Sequence, residues 1–305
     1  MSYFNVRILG CGSATPTLRH LPSSQVLSFH DRLFMIDCGE GTQLQMRRYG
    51  IAYAKLRNIF ISHIHGDHFL GLPGLLSTMS LHNIEGEITV HICREGAELL
   101  QTIMEAMCRE PSYTLRYNTF DPAAATVLYE DRTMIVKNFP LFHRVPCSGF
   151  IFREKQGPRH MRGDMAKFYN IPHWQIPAIK EGADFVTPDG TVVPNGRLTT
   201  APTPAASYAY CSDTAFDLRV AEAVKGTDVI YHEATYGDEQ AARAGIRGHS
   251  TARQAARIAS EAGASRLVIG HYSKTVTDSS VLVAQATEEF PAVIAANEGM
   301  KIDIR

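Results

Sequence analysis

Residues 62–68 read SHIHGDH, which places three of the chain's 13 histidines and one aspartate directly after the apolar run Ile59-Phe60-Ile61. Imidazoles and carboxylates are the side chains that bind hard and borderline cations and carry protons near neutral pH. Period-two geometry sets His63 and His65 on one side of an extended segment, and Gly66 permits a sharp bend that brings Asp67 and His68 round. That arrangement suits two metal ions better than one. Structural zinc fills its shell with four protein ligands, commonly including thiolates, and no cysteine is close in sequence to this cluster. A thiolate-free set split among distant segments points instead to a hydrolytic site that keeps room for water. Further candidates recur along the chain: His143, Asp213, His232 and His271, like His63, follow β-rich apolar runs at or near their ends. Strand C-terminal ends are where α/β folds place their sites.

The elements that must hold these residues are legible as alternation. FNVRILG reads as a strand running into a Gly-rich turn, SQVLSF and RLFMIDC as a hairpin, and RNIFIS as the strand that delivers the histidine cluster. Leu72, Leu75, Leu76 and Met79 recur at helical spacing, so a helix packs behind the cluster. GEITVHIC, TMIVKNFPLFH, SYAYCSDT, TDVIYHEAT and RLVIGHYS read as strands; REGAELLQTIMEAMCRE, DLRVAEAV and HSTARQAARIASEAG read as helices, the last capped by Ser250 or Thr251. Strands alternating with helices predict an α/β protein. Between 153 and 204 the character changes, with seven of the 15 prolines and turn-rich pieces around a short helical segment, so this stretch is an excursion from a core formed by 1–152 and 205–305.

Hydrophobic residues make up 45% and charged residues 20%, which excludes a disordered or fibrous chain, and a net charge of −1 leaves a nucleic-acid partner open because phosphates respond to local basic surface. No run approaches 18 apolar residues, and the amino terminus lacks a basic region followed by an apolar stretch; the expectation is a cytoplasmic protein with no membrane span. The six cysteines are scattered without a CxxC pair, which predicts buried free thiols.

SHIHGDH matches the HxHxDH motif of the metallo-β-lactamase superfamily, and LGCGSATPT, IDCGEGTQLQM, IFISHIHGDHFLGLPGLL, HEAT and GHSTARQAA together resemble the ribonuclease Z family in its short form, over about residues 5 to 275. The resemblance implies an αβ/βα sandwich of two mixed sheets packed face to face with helices outside, and a protruding arm at 153–204 that grips tRNA or contacts a second copy. It implies two zinc ions per subunit, replaceable by manganese or iron. The first would take His63, His65 and His143, the second Asp67, His68 and His271, with Asp213 bridging. Asp67 is assigned by the resemblance as proton acceptor, His249 as the acid for the leaving ribose oxygen, and Glu233 as the group that orients His249. Asp37 would support the metal-site loops, and His232 is read as structural. His20, His30, His82, His91, His160 and His173 have no partner pattern and are read as structural or solvated. The implied activity is zinc-dependent endonucleolytic removal of the 3′ trailer from precursor tRNA, leaving a 3′-hydroxyl, by a homodimer.

Two departures accompany the likeness. The arm reads NIPHWQIP where the family has a Gly-Pro pattern, and from 153 to 184 it holds six Lys or Arg against four Asp or Glu, a mild excess. After His271-Tyr272-Ser273 the family's arginine is replaced by Lys274, a point charge without the bidentate fork of a guanidinium. The alternatives are a dinuclear-zinc hydrolase of small phosphodiesters or other esters on the same scaffold, and a non-catalytic RNA-binding protein.

Overall fold

The computed structural model describes residues 3–305. In chain order its strands are β1 (Phe4–Gly10), β2 (Ser24–Phe29), β3 (Arg32–Cys38), β4 (Leu56–Phe60), β5 (Glu87–Cys93), β6 (Thr114–Phe120), β7 (Val127–Glu130), β8 (Met134–Leu141), β9 (Cys147–Glu154), β10 (His160–Met161), β11 (Phe185–Val186), β12 (Val192–Val193), β13 (Thr199–Thr200), β14 (Ser207–Cys211), β15 (Val229–Glu233), β16 (Arg266–Gly270), β17 (Val293–Ala295) and β18 (Lys301–Asp303). One sheet runs β18-β1-β2-β3-β4-β5-β6 and a second runs β17-β16-β15-β14-β9-β8-β7. Both are mixed and each has seven strands.

Alternation along the strands gives each sheet an apolar inner face. Phe34 and Phe60 of the first sheet meet Phe152 of the second with ring centroids 6.0 and 5.3 Å apart, and all three rings are fully buried. The outer face of the first sheet is covered by helix Gly71–Leu81, whose Leu72, Leu75, Leu76 and Met79 join Met35, Ile59 and Ile61 in one core, as their spacing predicts. On the second sheet, helix Ala252–Glu261 buries Ala255, Ala256, Ile258 and Ala259. Thr251 rather than Ser250 caps it: the Thr251 hydroxyl accepts from the Gln254 N–H while the Gln254 side chain accepts from the Thr251 N–H, a reciprocal capping box. Ser250 instead donates to the Thr214 carbonyl.

The chain divides into two compact units. The first comprises residues up to Tyr129, Val136–Phe152 and Ala206–Arg305 and carries the first sheet and most of the second. The second comprises Glu130–Ile135 and Arg153–Ala205. It has more regular structure than its prolines suggest: helices Gly163–Phe168, Ile176–Lys180 and Asn195–Leu198, and the strand pairs β10–β13 and β11–β12, surround a small core of Ile171, Ile179, Phe185, Val193 and Leu198. All six cysteines are free thiols, and all except Cys108 are buried.

His91 shows what an unassigned histidine does in such a core. Its ring stacks on Phe60 at 4.2 Å, its Nε2–H donates to Asn58 Oδ1 at 3.0 Å, and its Nδ1 accepts from Asn118 Nδ2 at 2.9 Å. Both nitrogens are satisfied in the neutral form, and burial pushes the pKa down to about 3. The folded pKa lies below the unfolded value, so the neutral ring costs nothing above about pH 6.5, and stability is lost as pH falls from there toward 3 at up to about 1.4 kcal/mol per unit. His91→Gln is expected to flatten that slope in urea titrations under chelator; an unchanged slope would exclude this origin.

Candidate active site

The candidate residues converge at one end of the two sheets, just beyond strand ends. His63 lies three positions beyond β4, His143 two beyond β8, Asp213 two beyond β14, and His271 directly after β16. His232 is the exception: it lies inside β15, fully buried, with its Nδ1 donating to the Glu233 carbonyl at 2.7 Å, and takes no part in the cluster. Gly66 is also used differently, since it opens the four-residue helix Gly66–Phe69 instead of making a turn of its own. The short helix carries Asp67 and His68 back under His65.

Five imidazoles turn ring nitrogens toward one another. His65 Nδ1 lies 3.0 Å from His63 Nε2 and 3.4 Å from His143 Nε2. His68 Nε2 lies 3.3 Å from His271 Nε2. For four of them the opposite nitrogen is engaged outside the cluster: His63 Nδ1 on the Ser62 hydroxyl at 3.0 Å, His68 Nδ1 on Asp37 at 2.7 Å, His143 Nδ1 on the Gly248 carbonyl at 2.7 Å, and His271 Nδ1 on the Thr235 hydroxyl at 2.9 Å. An imidazole that donates outward through Nδ1 has an unprotonated Nε2 lone pair pointing inward, the tautomer a cation requires.

Asp213 divides its two oxygens between the halves of the cluster. Oδ2 faces His63 Nε2 and His143 Nε2, each at 3.7 Å, whereas Oδ1 faces His68 Nε2 at 3.4 Å and His271 Nε2 at 3.2 Å. Oδ1 is buried and accepts no hydrogen bond of good geometry. Asp67 Oδ2 completes the second half, 3.4 Å from His271 Nε2 and 3.6 Å from His68 Nε2, and is held by the Ala14 N–H at 2.6 Å. His63, His65, His143 and Asp213 thus form one group that could hold a cation, and Asp67, His68 and His271 another.

Buried carboxylates need compensating positive charge. Burial opposes ionisation of Asp213, yet His271, His68 and His63 outweigh it and hold the carboxyl well below its ordinary range. Burial likewise opposes charge on His68, but Asp213, Asp67 and Asp37 raise its pKa well above the ordinary imidazole value. Seven metal-type donors and an orphaned buried carboxylate oxygen fit divalent cations.

Asp37, the penultimate residue of β3, has a left-handed φ of 54°, a strained conformation for a residue with a Cβ. The strain is held by four hydrogen bonds: Oδ1 accepts from the Ser62 N–H at 2.8 Å, and Oδ2 from the Ser62 hydroxyl at 2.9 Å, His68 Nδ1 at 2.7 Å and the Tyr210 hydroxyl at 2.7 Å. Gly248 is needed at φ 72°, where an added Cβ would stand 3.0 Å from His143 Nδ1.

His249 stands beside the cluster on Glu233. Its Nδ1 donates to Glu233 Oε1 at 2.9 Å, and Glu233, fully buried, also accepts from Thr214 N–H at 3.0 Å and from the Thr235 hydroxyl at 2.6 Å. Burial alone would lower the His249 pKa, but the Glu233 carboxylate and its hydrogen bond push it up to about 9. His249, His65, Asp67, His143 and Asp213 share a cavity of about 340 Å³. Arg144 and Glu40 line it too, and sequence reasoning passed over both; the only available signal for Arg144 was its place next to His143. Lys274 lines a neighbouring cavity with Arg19 and His20 instead.

Residues 4–136 match the family model of the anti-Pycsar protein Apyc1. Over 304 residues and the full length of both chains, the sequence is 47% identical to ribonuclease Z of Parabacteroides distasonis. Ribonuclease Z of Porphyromonas gingivalis is 48% identical over 305 residues, again at full length. The chain belongs to the ribonuclease Z family. Membership makes it a hydrolytic nuclease. Among solved structures, the short form of human tRNase Z superposes with a TM-score of 0.69 at 26% identity, covering 99% of each chain. The Bacillus subtilis protein YhfI, at 16% identity and a TM-score of 0.70 over 99% of each chain, shares the metallo-β-lactamase fold. Among the described residues no helix is long and apolar enough to cross a membrane.

Proposed function

We propose that the chain is a zinc-dependent endoribonuclease that cuts the 3′ trailer from precursor tRNA and leaves a 3′-hydroxyl on the tRNA. The observation that carries this reading is Asp213, whose two oxygens face two separate sets of inward lone pairs inside one open cavity. His63, His65 and His143 would hold one zinc, Asp67, His68 and His271 a second, and Asp213 would bridge them. Two such cations supply Lewis-acid polarisation of the scissile phosphate and a water nucleophile competent at neutral pH.

The chain's own residues supply the proton transfers. Asp67, fixed through Oδ2 by Ala14, accepts a proton from the attacking water. As the bond between phosphorus and the ribose 3′ oxygen breaks, His249 gives its proton to that oxygen, and Glu233 keeps the ring in the orientation that presents Nε2. The products are a tRNA with a 3′-hydroxyl and a trailer with a 5′-phosphate. Arg144, exposed on the cavity wall and without an ion pair among the described residues, contacts a phosphate flanking the cut. Arg144→Gln is therefore expected to raise KM for precursor tRNA about tenfold with kcat nearly unchanged, read from steady-state kinetics; a change in kcat alone would place the residue elsewhere.

The second reading, hydrolysis of small phosphodiesters or other esters, draws on the cavity volume of about 340 Å³, which a single nucleotide fills. The deciding assay compares a precursor tRNA carrying a 3′ trailer with a chromogenic phosphodiester, each with zinc and with chelator. Turnover of the small ester alone would sink the tRNA assignment. The same two substrates test the inserted arm: deleting most of 153–200 should weaken tRNA cleavage and spare the small ester, whereas equal loss would mean the segment serves folding. Family likeness also supports a homodimer in the cytoplasm, and sedimentation equilibrium reads the first of these directly.

A further inference from the structure

A second group of metal-type donors gathers at the loop that follows β1. Cys11 directly follows β1, His20 lies on the return of the loop, and Glu298 lies between β17 and β18. Cys11 Sγ is 3.4 Å from His20 Nδ1 and 3.7 Å from Glu298 Oε1, and His20 Nδ1 is 3.0 Å from Glu298 Oε2. A tetrahedral zinc with bonds of about 2.0–2.3 Å separates its ligand atoms by about 3.3–3.6 Å. The edge from Cys11 to His20 falls in that range, while the Glu298 contacts at 3.7 and 3.0 Å are made by its two different oxygens, one toward each partner.

We propose that Cys11, His20 and Glu298 form a separate zinc site, with thiolate, imidazole and carboxylate as protein ligands and water as the fourth. Thiolate together with imidazole selects zinc over the hard cations, which take oxygen shells. His20 also lines a cavity of about 370 Å³ with Gly12, Tyr272 and Lys274, which gives room for the water. No ligand atom is shared with the Asp213 cluster, so the site stands apart from the proposed catalytic chemistry. On binding, the Cys11 S–H proton is released to solvent and the sulfur pair bonds the metal.

The neighbourhood suits that exchange. Burial, with Glu298 adding, raises the Cys11 thiol well above its ordinary value, so the sulfur holds its proton until a cation replaces it. Glu298 is already aimed, since its Oε1 accepts from the Leu21 N–H at 2.9 Å. The consequence for the enzyme is positional. Zinc here ties the loop from Cys11 to Leu21 to the chain's carboxyl-terminal segment, and the same loop carries the Ala14 N–H that fixes Asp67.

Cobalt substitution of the intact protein tests the site, because only thiolate ligands give an intense sulfur-to-cobalt charge-transfer band in the near ultraviolet. The band is expected in the wild type and in His63→Ala, and is lost in Cys11→Ser. Elemental analysis after zinc loading is expected to find one metal fewer per chain in Cys11→Ser and in Glu298→Gln than in the wild type. Glu298→Gln keeps an acceptor for Leu21 and so guards against a folding defect in the cysteine variant. A wild type without the band, or variants with the full metal complement, would overturn the proposal whatever the outcome of the tRNA assay.

Discussion

Asp213→Ala is expected to strip the protein of most of its catalytic metal and to lower kcat/KM on precursor tRNA at least about a thousandfold, equivalent to about 4 kcal/mol of transition-state stabilisation. The size follows from position. Every other ligand of the cluster faces one group of nitrogens, whereas Asp213 Oδ2 faces His63 and His143 and Oδ1 faces His68 and His271. Its removal takes a negative charge and a ligand from both groups at once. Asp213→Asn keeps the volume and one oxygen, and is expected to retain more metal than alanine while remaining severely impaired. Inductively coupled plasma analysis beside single-turnover cleavage would measure both quantities. Full metal content with full activity in either variant would remove the bridging role.

His249→Ala should separate chemistry from metal binding. The ring's Nδ1 is spent on Glu233, so its loss leaves the cation ligands intact, and metal content should stay at the wild-type level. The kcat for precursor tRNA is expected to fall about 10²–10⁴-fold, the range for a missing general acid, with little change in KM. A nitrophenyl phosphodiester provides the control, because nitrophenolate departs without a proton and its turnover should fall far less. The pH profile carries the same information. His249 acts in its protonated form, so wild-type kcat should decline as pH rises through a value at or below about 9, cations at Asp213 and His271 lowering the limb, and the variant should lack that limb. Equal losses on both substrates, or a metal deficit, would make His249 a ligand.

The candidate metal-binding residues were legible in the sequence because they sit in short motifs next to strands whose period is simple to read. SHIHGDH, YCSDT and IGHYS need only local reasoning to be placed near strand ends. What surrounds them was not legible, because those contacts cross the fold: Tyr210 reaches Asp37 from another sheet, Gly248 reaches His143 across a loop, and Thr235 serves Glu233 and His271 together. Short closing strands escaped as well. β17 and β18 have three residues each, too few for an alternating pattern, and β18 is defined only by its antiparallel pairing with β1. The arm's regular structure was hidden by its prolines, several of which open helices or precede them instead of ending order.

The hydrogen bond from Tyr210 to Asp37 has a consequence for how this chain tolerates change. Asp37 belongs to one sheet and Tyr210 to the other, and the aspartate also aims His68. The sheets therefore cannot slide past each other without turning that imidazole. Substitutions among Phe34, Phe60 and Phe152, which fill the interface between the sheets, will be felt at the reaction centre even when the fold survives them. Core substitutions in this protein are expected to lower turnover before they unfold it.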